Sequence, residues 1–154
     1  MTVEILDETG RFRRRRRLAA LIRALAAAQG WVGREVTVVL VDDDAIAAMN
    51  ERDRGVVGPT DVLSYPLHEP DDTGFPTLPH LGDVVVSLDT AKRQARERGV
   101  DPWHEVAELV AHGLLHLLGH DHRDEDEWRP FLALQAEALR LARQLDADAS
   151  GRGA

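Results

Sequence analysis

The chain has 154 residues, enough for one domain with a sizeable core and too few for two ordinary domains. Hydrophobic residues make up 44% and charged residues 30%, the mixture of a globular protein rather than a disordered one. There is no cysteine, so disulfides and thiolate metal sites are excluded and any metal must bind nitrogen and oxygen. The net charge of −8 argues against a protein that coats nucleic acid nonspecifically, but it allows a local basic surface.

The first elements are a strand and an amphipathic helix. TVEILDE alternates like a short strand, and a helix is expected from about residue 11 to Gln29, ending at Gly30. Its arginine run followed by an apolar stretch imitates a signal peptide, but acidic residues precede the arginines and Arg23 interrupts the apolar part. We therefore expect the first helix of a cytoplasmic protein, with an apolar stripe at Leu18, Leu21, Ile22 and Leu25.

Three more strands and four more helices are predicted after Gly30. REVTVVLV (34–41) predicts a central strand, TDVLSYPL (60–67) an edge strand because of Pro66, and GDVVVSL a fourth strand. Residues 68–81, with three prolines and a glycine, predict a loop. The helices are expected in DAIAAMNERDR, DTAKRQARER, PWHEVAELVAHGLLHLLG and residues 125–145. The prediction is a single α+β domain, 1–145, with a small mixed four-stranded sheet, and a disordered tail, 146–154.

The stretch HGLLHLLGHDH (112–122) contains four of the seven histidines and predicts a metal site. His112 and His116 lie four apart, on one face of a helix, and Gly119 can end that helix in a left-handed bend. The bend can return His122 to the same point, and the spacing matches the zinc pattern H-x-x-x-H-x-x-G-x-x-H. Three imidazoles with an open position are typical of catalytic zinc, and a plain core helix is the less favoured interpretation.

Several neighbours are candidates for supporting or substrate-contacting roles. His120 is a less favoured alternative ligand, and Asp121 either orients an imidazole or caps the turn. Glu108, one turn before His112, is a possible partner of a ligand or an ordinary solvated glutamate. Gly113 stands where zinc proteases carry the glutamate base, which argues against peptide hydrolysis and indicates either a close approach to the backbone or plain helix packing.

Three segments resemble one family in order and spacing. HGLLHLLGHDH is similar to the H-G-x-L-H-L-x-G-Y-D-H signature of the YbeY-type endoribonucleases, which are zincin-like rRNA maturation factors. MNERDRGVVGPTDVLSYP (49–66) resembles the family's L-N-x-x-[YF]-R…T-D-V-L-S-F-P segment, and LGDVVVS (81–87) its L-G-D-[IV]-x-[IV]-S strand. The chain departs from these patterns at Asp53, Tyr65 and His120, where the family has aromatic residues.

The resemblance implies a zinc-dependent, single-strand-specific endoribonuclease. It implies one Zn²⁺ per chain on His112, His116 and His122, and a functionally important Arg54 whose guanidinium can clamp the scissile phosphate. Asp61 and Ser64, in the matching segment, are further candidates for contacting substrate or supporting a ligand. The expected partners are the 16S rRNA precursor and the small ribosomal subunit with its proteins, in 3′-end maturation and ribosome quality control, with no membrane.

Several alternatives stay open at the level of sequence. The chain is either this nuclease, a non-catalytic assembly factor with a structural metal, or a zinc hydrolase of other substrates. The attacking group is either metal-activated water or the RNA 2′-hydroxyl. The run from Arg11 to Arg17 is either an RNA contact or a solvated helix start. Core packing is favoured over base stacking for Tyr65, Trp103 and Trp128.

Overall fold

Four strands form one mixed sheet: β1 (Thr2–Asp7), β2 (Glu35–Val41), β3 (Val62–Pro66) and β4 (His80–Ser87). The structure, a computed structural model, describes residues 1–67 and 79–152, the last without its side chain. The strand order is β1-β2-β4-β3, with β1, β2 and β4 parallel and β3 antiparallel to β4. The predicted α+β class, the mixed four-stranded sheet and the edge position of β3 are therefore confirmed.

Five helices accompany the sheet: α1 (Arg15–Gln29), α2 (Asp43–Arg54), α3 (Leu88–Arg98), α4 (Pro102–Leu117) and α5 (Glu125–Arg152). Residues that the sequence predicts as helix caps do cap helices in the structure. Asp42 accepts a hydrogen bond from the Ala45 N–H at the start of α2, and Asp101 accepts one from the Trp103 N–H before α4. These caps, with the glycine ends of α1, α2 and α3, fix the orientation of each helix against the sheet.

Helix α4 lies at the centre of the larger core. It packs with α1 and α5 against the sheet face that carries Val84 and Val86, and most of its residues are buried. Val85 points to the opposite face, where Ile46 of α2 covers Leu63 in a smaller core. Alternate residues of β4 thus face the two cores, and α4, which carries His112 and His116, packs on the face of the larger one.

Helix α1 begins four residues later than the sequence predicts. The Asp7 carboxylate accepts hydrogen bonds from the backbone N–H groups of Thr9, Gly10 and Phe12, at 3.0, 3.2 and 2.9 Å. This turn holds the chain after β1 in a non-helical conformation up to Arg14. The expected start near residue 11 was therefore wrong.

Helix α5 continues to Arg152, so the disordered tail predicted for residues 146–154 is wrong for residues 146–152. Asp146 accounts for much of the difference because its carboxylate joins three elements. It accepts a 2.5 Å hydrogen bond from Arg17 of α1 and bonds of 3.1 Å and 2.6 Å from Trp103 and His104 of α4. These contacts secure the last turns of α5 against the domain.

The loop predicted for residues 68–81 falls largely on residues 68–78, which lie outside the described residues, and His80 and Leu81 belong to β4. Among the helices that the structure describes, none has an apolar stretch sufficient to cross a membrane.

Candidate metal centre

The three predicted ligands converge. His112 and His116 project from the last turns of α4, and the chain bends at Gly119, whose φ of 91° is left-handed, before it reaches His122. The His116 Nε2 atom lies 3.0 Å from His112 Nε2 and 3.1 Å from His122 Nε2. Ligand nitrogens around a tetrahedral ion at about 2.0–2.1 Å are about 3.3–3.4 Å apart. The three histidine ligand atoms all lie within 4.8 Å of one another, so this group could hold a metal ion.

The hydrogen bonding of His116 suits a ligand. Its Nδ1 lies 3.2 Å from the carbonyl oxygen of His120, which can only accept, so the proton belongs on Nδ1. The Nε2 lone pair is therefore available at the point of convergence. Burial, followed by the nearby charge of His122, lowers the pKa of His116, and burial with the charges of His116 and His122 lowers the pKa of His112 to about 4. Both rings are neutral near pH 7, the form that binds a metal.

Helix α5 supplies three residues to the centre that sequence reasoning did not identify as site residues. The ring of Trp128 stacks on His122 with 4.1 Å between centroids, and the buried Phe131 ring lies within 5.0 Å of all three imidazoles. The Gln135 amide lies 3.0 Å from Nδ1 of His112. The spacing of these residues, i, i+3 and i+7, places them on one face of α5, and this was the available signal.

The centre opens onto a groove of about 980 Å³ between α4, β3 and the end of α2. Arg54, the last residue of α2, lines this groove together with His112, His116 and His122. Its positive charge is close enough to contribute to the lowered pKa of His116. The groove thus combines a candidate metal centre with a guanidinium, an arrangement that can bind and polarise a phosphate diester.

The two candidates on β3 and its approach also line the groove. The Ser64 hydroxyl donates a 3.2 Å hydrogen bond to the Gly113 carbonyl, so it joins β3 to α4 beside His112. Asp61 accepts hydrogen bonds from the Val62 N–H at 2.8 Å and from Gln94 at 3.2 Å. The negative charge of Asp61 raises the pKa of His112, although burial and the other histidines outweigh it. Asp61 therefore acts on the centre through its charge.

The remaining sequence candidates lie beside the centre without joining it. The exposed His120 contributes its backbone carbonyl and is outside the group of converging ligand atoms. Asp121 accepts from the backbone N–H of His122 at 2.8 Å and from Arg123 at 2.8 Å, so it caps the turn, and no described contact joins it to an imidazole. Glu108 is buried in an ion pair with Arg98, which contradicts the expectation of a solvated glutamate.

Gly113 marks a close approach, as one of the two sequence interpretations predicts. A Cβ atom there would lie 2.6 Å from Cγ1 of Val84 and 3.2 Å from the Ser64 hydroxyl. Helix α4 is consequently seated directly on β4, and there is no room for the glutamate that zinc proteases carry at this position.

Two of the residues that depart from the family pattern, Asp53 and Tyr65, contact each other. The Tyr65 hydroxyl donates a 2.7 Å hydrogen bond to Asp53, and Arg52 binds the same carboxylate through two nitrogens at 2.8 and 2.7 Å. Burial and the bond to Asp53 raise the pKa of Tyr65 to about 12. The pair joins β3 to the last turn of α2 and so helps to position Arg54.

Comparisons with known proteins identify the family of the chain. The sequence model of the family described as Endoribonuclease YbeY matches residues 6–143. An Endoribonuclease YbeY of Thermus thermophilus is 47% identical over 129 residues, covering 84% of this chain and 88% of the relative. One from Deinococcus radiodurans is 53% identical over 106 residues, 67% of each chain.

A solution structure of a Thermotoga maritima protein is similar in fold. Its TM-score is 0.65 at 28% identity, with 96% of this chain and 93% of that chain covered. The sequence match extends over nearly all of the described elements, from the end of β1 into α5, and it includes the three converging histidines and Arg54. The chain belongs to the Endoribonuclease YbeY family, whose members are hydrolases that cut RNA internally.

Proposed function

We propose that this chain is a zinc-dependent, single-strand-specific endoribonuclease that acts in 16S rRNA 3′-end maturation and ribosome quality control. The observation that carries the proposal is the convergence of three imidazole Nε2 atoms in the wall of a groove that also contains Arg54. The family supports the RNA substrate. The small ribosomal subunit as partner and the cytoplasm as compartment are part of the proposal, because both accompany this substrate.

The donor set favours zinc among common metals. Three imidazoles and no thiolate suit zinc, and the groove leaves the convergence point accessible to a fourth ligand. When bound, zinc supplies Lewis acidity and lowers the pKa of a water molecule. One ion per chain, held by His112, His116 and His122, accounts for all three converging histidines.

The protein residues orient the substrate. The Arg54 guanidinium can form two parallel hydrogen bonds with a phosphate and stabilise the charge that develops as the diester is attacked. Asp53 engages Arg52, so Arg54 is the cation at the end of α2 that is better placed to bind the phosphate. Because residue 113 is glycine, there is no glutamate base at the position where zinc proteases carry one, and the proposed reaction uses none there.

The experiment compares cleavage of an unstructured RNA by zinc-loaded protein, by chelated protein and by a His116→Ala variant. We expect cleavage by the first sample alone, and zinc content measured in parallel should fall in the other two. Cleavage that persists after chelation would refute the metal dependence. If the loaded protein cuts no RNA while cells depleted of it still accumulate immature 16S rRNA, the chain is an assembly factor with a structural metal.

A further inference from the structure

The arginines before and within the first turn of α1 form a concentrated basic surface. Six of the 19 lysine and arginine residues fall in the seven positions from 11 to 17, in a chain whose net charge is −8. Arg13, Arg14, Arg15 and Arg16 are exposed, and within residues 1–67 and 79–152 none of their four guanidinium groups forms a hydrogen bond or an ion pair. Arg11 pairs with Asp89 and Arg17 with Asp146.

This cluster is electrostatically unfavourable for the folded chain by itself. The first turn of α1 contains no acidic residue, and Arg14 at its N-cap makes no side-chain capping bond. Cations at this end of a helix oppose the helix dipole and repel one another. By contrast, α2, α3 and α4 begin with the capping side chains of Asp42, Ser87 and Asp101. An anionic partner would remove the repulsion that the fold leaves uncompensated.

The basic residues also border a groove. A depression of about 420 Å³ lies between the segment that precedes α1 and the helices α3 and α4, with Arg11, Arg13, Arg14 and Lys92 at its rim and one carboxylate, Asp101, in its lining. Its floor is apolar and includes Phe12 and Leu88. Cations that follow a backbone beside apolar surface are typical of sites for single-stranded nucleic acid, in which phosphates bind the rim and base faces meet the floor.

The basic groove and the candidate metal centre are both bordered by α4. Pro102 borders the basic groove and His112 borders the metal centre, and ten residues of helix separate them, on the order of 15 Å along the axis. We propose that the basic groove, defined by Arg11, Arg13, Arg14 and Lys92, binds the phosphate backbone of single-stranded RNA outside the cleavage site. This inference rests on the proposed function and adds a second contact region for its substrate.

The test compares two triple variants that remove the same number of positive charges. Arg13→Ala/Arg14→Ala/Lys92→Ala removes three of the four cations that define the basic groove. Arg23→Ala/Arg96→Ala/Arg143→Ala removes three exposed arginines elsewhere on α1, α3 and α5. Each set is introduced into the full chain with His116→Ala, so that the RNA stays intact, and binding of fluorescent oligouridine is measured over a series of salt concentrations.

We expect the groove variant to bind oligouridine about tenfold more weakly at low salt. Its plot of log affinity against log salt should be flatter by about 0.7 for each phosphate that the variant no longer neutralises. The matched control should keep the slope of the parent. Equal weakening in both variants would show an effect of net charge alone, and no weakening in either would show that the RNA lies elsewhere; both results would overturn the inference.

Two further results separate this inference from its alternatives. Binding of the parent to phosphatidylserine vesicles with no binding to oligouridine would overturn the assignment to RNA in favour of a membrane surface. Groove-dependent RNA binding by a protein whose zinc-loaded wild type fails to cut RNA would refute the proposed activity and leave the basic groove as a binding site.

Discussion

Arg54 illustrates how a single side chain can matter for activity and little for stability. Within the described residues it forms no hydrogen bond or ion pair, although it lines the groove beside the histidines. We expect the free energy of unfolding of Arg54→Ala to lie within about 0.5 kcal/mol of the wild-type value, because the substitution breaks no described side-chain hydrogen bond or ion pair. For the same reason the variant should keep its zinc. Its kcat/KM for RNA should fall by about 10²–10³ because the phosphate clamp is removed.

Arg52→Ala is the matched control for this prediction, since its charge is already engaged by Asp53. Steady-state kinetics, urea denaturation and zinc analysis on both variants check the expectation. Loss of zinc from Arg54→Ala would show that the arginine supports the metal centre rather than the substrate.

Gln135 should control how tightly His112 binds a metal. A ring that binds through Nε2 carries its proton on Nδ1, so the Gln135 amide, 3.0 Å from Nδ1, must then present its oxygen, which a half-turn of the amide allows. We expect Gln135→Leu to bind zinc about 10- to 100-fold more weakly, whereas Gln135→Glu, which keeps an acceptor oxygen, retains the affinity. Competition with a chromogenic chelator measures the zinc affinity of both variants. Equal zinc affinities for Gln135→Leu and the wild type would contradict a role of Gln135 in metal binding.

The sequence revealed the converging histidines but not the residues that contact them. His112, His116 and His122 were predictable because helix periodicity and a glycine bend are local rules that fix their relative positions. Gln135 contacts His112 only after α5 has packed on α4, and the spacing within α5 does not specify which of its faces meets the histidines. The pairing of Asp53 with Tyr65 is long-range in the same way.

At the scale of elements, the close packing of α4 on β4 should depend on Gly113. A Cβ there would lie 2.6 Å and 3.1 Å from the two methyl groups of Val84. Overpacking costs about 1–3 kcal/mol and outweighs the gain of about 1 kcal/mol in helix propensity. We therefore expect Gly113→Ala to lower the free energy of unfolding in urea, and Gly113→Ala/Val84→Ala to lose less than the sum of the single variants. A fully stable Gly113→Ala would contradict this account.

The junction of α2 and α3 should weaken in acid. Burial alone would raise the pKa of Asp43, but hydrogen bonds from Arg93, Thr90 and Ser87 lower it to about 2. Since this folded-state pKa is below the ordinary value of 3.8, the stabilisation of about 2 kcal/mol is present above about pH 4 and is lost as the pH falls toward 2.

Urea denaturation over this pH range checks the expectation with Asp43→Asn. The variant should be less stable than wild type near neutral pH, and the difference should disappear near pH 2. Asp44→Asn, exposed on the same turn of α2, is the control and should show a much smaller difference. A stability difference between Asp43→Asn and wild type that does not change with pH would contradict the lowered pKa of Asp43.

The boundaries of elements were predictable only where a local signal ends them. Gly30 stops α1 and Asp42 caps α2, both as expected. The late start of α1 depends on the hydrogen bonds that Asp7 accepts in the preceding turn. The sequence prediction placed the start too early because the arginines that follow have a high helix propensity. The length of α5 depends on Asp146, whose partners in α1 and α4 are far away in sequence and therefore gave no signal.

For the whole molecule, metal binding should raise thermal stability, because the ligands come from α4 and from the segment that leads into α5. A ligand at about 100 times its Kd stabilises the native state by about 2.7 kcal/mol, and each kcal/mol raises the Tm of a chain of this size by about 2–4 °C. Calorimetry with zinc and with a chelator measures the shift. It should vanish in His116→Ala and persist in His120→Ala, whose ring lies outside the converging group.

Helix α4 contributes both to the hydrophobic core and to the candidate metal centre. Its apolar residues form the centre of the core, and the same helix carries two of the three converging histidines. Changes in the candidate metal centre are therefore coupled to changes in the hydrophobic core. A substitution in α4 that the packing tolerates can still rotate the imidazoles, and a substitution that moves the imidazoles disturbs the packing. We expect functional diversification to proceed instead through β3, the end of α2 and the exposed basic surface.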